Sequence, residues 1–251
     1  MYTLTLLLSI AGSFAGESPC ACPHSVVPPP AIGKPVPPNH PHGYLWYYKV
    51  DEKGKTVREV MPYEPREGDW LFFDDMSEWW EFLYSIADTA PPFHAGIVVK
   101  KPDGSLGVLE SGPDDTLWVY VLDLIPRLHT FKGVLQVRRV KHPLTPEQSA
   151  CLSDFAERQK GKRYAMWRLL LQGSPIKSKG GPLREKCAHT LYNRHRWLCA
   201  EIVVTASALI GLTDGKKIKG SNTYPLDIID NKKHPELADV FEDAAYWAPH
   251  P

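Results

Sequence analysis

Three residues of this chain carry side chains whose chemistry fits together: Cys199, His94 and Glu110. Cys199 lies near the start of WLCAEIVVTASALI (residues 197–210), an apolar stretch that reads as a helix closed by Gly211. The unpaired N–H groups of a helix's first turn carry partial positive charge, so a thiol placed there favours the thiolate. His94 opens HAGIVVK, a strand directly after Pro91-Pro92-Phe93, and its ring can project from the sheet edge. Glu110 ends the next strand of the same hairpin, where its carboxylate can lie beside the imidazole and orient it. Singly, each has an ordinary structural use, the cysteine above all as a small buried hydrophobe. Together they are the parts of a nucleophile, a proton shuttle and an orienting acid.

A competing arrangement uses the same thiol: Cys187, His189, His195 and Cys199 could be read as a Cys2His2 zinc site. Their spacing of one, five and three intervening residues is unlike the usual paired-ligand patterns, and a thiol locked on zinc is not free to attack. Cys151 falls inside a helical pattern and is expected in the core. Cys20, Cys22 and Cys187 are left for a bridge of undetermined connectivity if the chain is exported.

The elements that must position these residues begin at Gly43. GYLWYYKV and TVREVM flank a polar turn as a hairpin, DWLFF is a strand, and residues 94–100 and 106–110 form a second hairpin about Pro102-Asp103-Gly104. WVYVL and GVLQVRRV add two more strands. Ser77 is placed to cap a helix over 78–87 that carries Trp79 and Trp80. Thr145-Pro146-Glu147-Gln148 is a helix start with a capping box, and the helix should run to about Lys160. Residues 163–172 extend it or form another short helix, and 173–182 read as a surface loop. The last forty residues carry only weak signals.

Upstream, residues 1–15 (MYTLTLLLSIAGSFA) have the length and small-residue end of a signal peptide, which predicts export to the periplasm or outside the cell. This run is too short for a transmembrane helix. Residues 16–42 read as a proline-rich linker, with His24, His40 and His42 as solvated histidines, and 43–251 as the folded domain. With 29 basic and 29 acidic residues the formal net charge is zero, so no bulk attraction to nucleic acid or anionic membrane is expected.

GDWLFF (68–73), HAGIVV (94–99), VLESGP (108–113), GKRYAM (161–166) and WLCAEIV (197–203), in that order, resemble the permuted papain-like amidases of the YiiX/YaeF type. These are circularly permuted relatives of NlpC-type cysteine peptidases and of the lecithin retinol acyltransferase family. The resemblance covers residues 67–212. It implies an α+β, circularly permuted papain-like fold, with a small antiparallel sheet or barrel packed on a cysteine-bearing helix. It implies His94 as catalytic histidine, Glu110 as third polar residue and Cys199 as nucleophile, with Tyr164 near the site and Glu201 as the acid just after the cysteine. Phe93 is expected in the substrate groove. The implied activity is hydrolysis or acyl transfer at an amide, in a cell-wall peptide or an acyl lipid, through a thioester and without metal or cofactor. The rival is a peptide- or lipid-binding module on the same scaffold. The long insert between Tyr164 and Cys199 departs from a compact family member.

Overall fold

The computed structural model describes residues 31–32, 36–74, 89–170, 192 and 194–251. Among them, a nine-stranded sheet runs in the order β1-β3-β2-β11-β8-β4-β5-β6-β7. Its strands are β1 (Ala31–Ile32), β2 (Tyr44–Val50), β3 (Thr56–Pro62), β4 (Trp70–Asp74), β5 (His94–Lys100), β6 (Leu106–Ser111), β7 (Val119–Asp123), β8 (Val134–Arg138) and β11 (Ala245–Ala248). All neighbours pair antiparallel except β1, which lies parallel to β3. A separate two-stranded parallel pair joins β9 (Arg163–Tyr164) to β10 (Arg196–Trp197).

The helices are α1 (Leu124–Thr130), α2 (Pro146–Gln159), α3 (Met166–Leu170), α4 (Cys199–Leu209), α5 (Pro225–Ile228) and α6 (Leu237–Val240). The α+β class expected from the sequence is what the chain adopts. Both expected hairpins form, and α2 starts with the expected capping box: the Gln148 N–H donates to the Thr145 hydroxyl, and the Thr145 N–H to the Gln148 carboxamide. Neither α1 nor β11 is among the elements expected from the sequence. In α1, Pro126 sits in the first turn, where its missing N–H costs nothing. The four-residue β11 forms because it pairs on both sides, Tyr246 opposite Trp46 of β2 and Gln136 of β8, so the chain's end fastens its first hairpin to the sheet. The helix expected over 78–87 lies outside the described residues.

Strand alternation sends successive side chains to opposite faces, and here both faces are covered. Trp70, Phe72, Ala95, Ile97 and Leu109 pack on α2 and α4 through Leu152, Phe155, Ile202 and Val203. Leu71, Phe73, Val98 and Val108 pack on the other side with Leu124 and Leu128 of α1. Polar bonds fix α4 and the segment entering it on the sheet: the Trp70 indole donates to the Ser207 hydroxyl at 2.9 Å, and the Ser111 hydroxyl donates to the Trp197 carbonyl at 3.0 Å. At the far end of β4, buried Asp69 accepts from the Val140 and Arg66 N–H groups and from the Tyr63 hydroxyl, and burial pushes its carboxyl up to about 7 against those bonds.

The proline-rich segment is docked where it is described. The Tyr44 hydroxyl donates to the Pro37 carbonyl, His40 contacts Glu64 at 3.0 Å, and the Trp247 indole donates to the His42 carbonyl at 2.6 Å. A free tether up to His42 is therefore too long a reading: backbone carbonyls that proline leaves available are taken by side chains of the domain.

Candidate active site

Cys199 is the first residue of α4, because Arg196–Trp197 is spent on pairing with β9 and the helix starts two residues later than the apolar pattern suggests. The thiol is buried, 3 % exposed, and donates to the Phe93 carbonyl at a sulfur distance of 3.7 Å. His94 is the next residue along, at the first position of β5. The imidazole shares the Gly96/Val98 face with Phe73, whose ring centroid lies 5.6 Å away, whereas α4 packs on the opposite face. Its place at the strand's end lets it serve both sides: it touches Glu110 on its own face and Cys199 where α4 begins.

The Glu110 carboxylate is fully buried and lies 2.8 Å from His94 Nε2. The β5/β6 register sets Glu110 opposite Gly96, so the reach to His94 is diagonal. A Cβ on Gly96 would stand 2.8 Å from Glu110 Cγ and 2.7 Å from Val108 Cγ1, and the bare glycine is what lets the carboxylate lie across the strand. With Nε2 turned to the acid, Nδ1 is the ring nitrogen left for the thiol.

Behind the acid stands a residue the sequence reading missed. Arg127 of α1 donates Nε to Glu110 Oε1 at 2.8 Å and Nη2 to Oε2 at 2.9 Å, a bidentate clamp, and Nη1 to Asp114 at 2.7 Å. Its guanidinium stacks over the Phe73 and Phe131 rings. The signal was present in LIPRLHT: Leu124, Arg127 and Leu128 share one helical stripe, and an arginine on a buried stripe needs a carboxylate.

Burial opposes charge on His94, yet hydrogen bonds and charge from Cys199 and Glu110 outweigh it and lift the imidazole to about 9. The protonated form of the ring is thus favoured between the Cys199 sulfur and the Glu110 carboxylate. That is an arrangement able to protonate a leaving group.

The structure describes the other expected site residues as follows. Phe93 and Tyr164 form a buried aromatic cluster with Tyr224, and Met166 and Leu198 pack against it beside Cys199. Gly112 of the ESGP turn is in the left-handed region, φ 79°, and a Cβ there would meet Tyr164 Cδ2 at 2.7 Å, so the turn is seated on the tyrosine ring. Glu201 is buried and faces two arginines, Arg168 at 2.6 Å and Arg194 at 2.9 Å, while also accepting from the Leu198 N–H at 3.3 Å. Its carboxylate ties the chain entering α4 to α3. Of the zinc reading, Cys187 and His189 lie outside the described residues, and His195 is exposed. Among the described residues no three His, Cys, Asp or Glu side chains are grouped to hold a metal ion. Also among them, no helix is long and apolar enough to cross a membrane.

The chain is similar in structure to YiiX. The crystal structure of metalloprotein YiiX from Escherichia coli O157:H7 superposes with a TM-score of 0.40 and 22% sequence identity, over 58% of this chain and 66% of that one. The matched part thus spans just under two thirds of YiiX. No family model and no curated protein matches.

Proposed function

We propose that this chain is a cysteine hydrolase or acyl transferase of circularly permuted papain-like fold, with Cys199 as nucleophile, His94 as proton shuttle and Glu110 as orienting acid. One observation carries the reading: a thiol at the first residue of a helix interacts with an imidazole whose other side is fixed at 2.8 Å to a buried carboxylate. The Cys199 sulfur attacks a carbonyl carbon, and its proton resides on His94. The Cys199 N–H, which has no carbonyl partner inside the helix, helps hold the oxyanion. His94 protonates the leaving amine as the C–N bond breaks, leaving a thioester. Water, deprotonated by His94, releases the acyl group and restores the thiol; an acceptor amine or alcohol in its place gives acyl transfer. Phe93 and Tyr164 line the acyl side, and Glu201 positions α4. The substrate class is an amide in a cell-wall peptide or an acyl lipid, and the leader-like residues 1–15 favour action outside the cytoplasm.

The test compares the two described free thiols. Cys151 is partly exposed and Cys199 is buried, so exposure alone favours alkylation of Cys151. Peptide mapping after iodoacetamide at about pH 6, below the ordinary thiol range of ~8.5, should find Cys199 labelled first. Cys199→Ala should abolish amide turnover and leave the fold intact. Preferential labelling of Cys151 at every pH would sink the hydrolase reading. The burial of Cys199, at 3 % exposed, favours the rival in that event: a groove that binds peptide or lipid without turnover.

A further inference from the structure

Zero net charge conceals a strong polarity. Residues 158–198 contain eleven lysines and arginines against one acid, Glu185, so the rest of the chain is correspondingly acidic. This basic stretch starts at the end of α2 and finishes one residue before the Cys199 thiol.

Among its described residues, Arg163 and Arg196 are direct register partners in the β9/β10 pair, and both are exposed. Like charges placed opposite one another destabilise a strand pair. Other basic residues here are matched: Arg158 to Asp154, Lys160 to Glu157, Arg168 and Arg194 to Glu201. No such ion pair involves Arg163 or Arg196 among the described residues. Arg163 instead lies over the Trp118 ring at 5.0 Å. Trp118 is 41 % exposed and Trp167 70 %, and exposed Leu117 adjoins Trp118 in the chain. Folding does not bury these side chains, and an uncompensated arginine pair among exposed indoles has the composition of a surface that sits at a lipid–water interface.

The patch is joined to the candidate site. Met166, next to exposed Trp167, packs against the buried Phe93/Tyr164/Tyr224 cluster, as does Leu198. Arg196 is three residues from Cys199, at most ~10 Å of extended chain. Apolar side chains thus continue inward from the patch toward the thiol, which suits a hydrocarbon chain better than a nucleic acid needing a long basic track.

We infer that the Arg163/Arg196 pair with Trp118 and Trp167 docks the protein on an anionic phospholipid surface, so that the acyl group presented to Cys199 comes from a lipid. The docking rests on the surface alone; the lipid as substrate rests on the hydrolase reading.

The test is sedimentation of the full chain with phosphatidylcholine vesicles, with and without phosphatidylglycerol. Binding should require phosphatidylglycerol and weaken with salt. The double variant Arg163→Gln/Arg196→Gln should bind at least about tenfold more weakly, given ~1 kcal/mol per basic residue at such a surface. Trp167→Ser should weaken the binding that survives in salt. All three positions are exposed and the paired arginines repel one another, so melting should not fall. Cys199→Ala should bind like the wild type while releasing no fatty acid from an N-acyl lipid included in the vesicles. Binding to phosphatidylglycerol by a wild type whose Cys199 is unreactive would retain the docking and remove the hydrolase reading. No vesicle binding, or binding indifferent to the arginine variant, overturns the inference. So does an arginine effect seen only with a single-stranded oligonucleotide, which would assign the patch to nucleic acid.

Discussion

His94 is the residue on which the site's charge state turns. Its imidazole is lifted to about 9 by Cys199 and Glu110 against the cost of burial, so removing either partner should lower it. In Cys199→Ala, histidine ring signals followed by NMR titration should show the His94 midpoint well below that of the wild type; an unchanged midpoint would separate His94 from the thiol. The linkage has a definite sign. A histidine raised in the folded state from 6.5 to about 9 contributes stability that is complete below pH 6.5 and is lost as pH rises through 9. Urea unfolding across that window should show the decline in the wild type and not in His94→Gln, and the general-acid limb of kcat/KM should fall in the same range. Arg127 acts through Glu110. Arg127→Ala leaves a buried carboxylate with only His94 beside it and should cost about 3–5 kcal/mol in chemical denaturation. Arg127→Lys keeps the charge but not the fork, and should retain more stability while lowering kcat more than it raises KM.

At the scale of elements, the site depends on what the hairpin leaves out. Gly96 has no side chain at the one point where Glu110 must cross, so Gly96→Ala should force the acid away from His94. The expected result is a destabilisation of about 1–3 kcal/mol, read by denaturation, with a loss of turnover larger than the stability change explains. Full activity in a folded Gly96→Ala protein would show that the diagonal reach is dispensable. Periodicity located the hairpin, the capping box and the apolar helix because these are local signals: alternation, a cap residue and an unbroken apolar run. Helix α1 escaped notice because Pro126 looks like a breaker and Arg127 looks like surface. The start of α4 moved because the backbone groups of Arg196 and Trp197 found partners in β9, a segment thirty-three residues earlier in the chain.

At the scale of the molecule, the two ends of the described chain hold each other. Trp247 of β11 donates to His42, and β11 pairs with β2, so removal of residues up to 42 strips bonds from the seam of the sheet. A chain beginning at Gly43 should melt several degrees lower, since each ~1 kcal/mol shifts a protein of this size by about 2–4 °C. An unchanged Tm would mean that these contacts add nothing net. The sequence by itself determined the residue types able to do the chemistry, the order of His94, Glu110 and Cys199, and the local elements that carry them, since each follows from side-chain character and short-range pattern. It did not determine that Glu110 would be clamped by Arg127, that Arg163 and Arg196 would stand side by side, or that four residues near the C-terminus would complete the sheet. Those relations join segments far apart in the chain, and only the tertiary structure decided them, because pairing register and burial exist only once those segments have met.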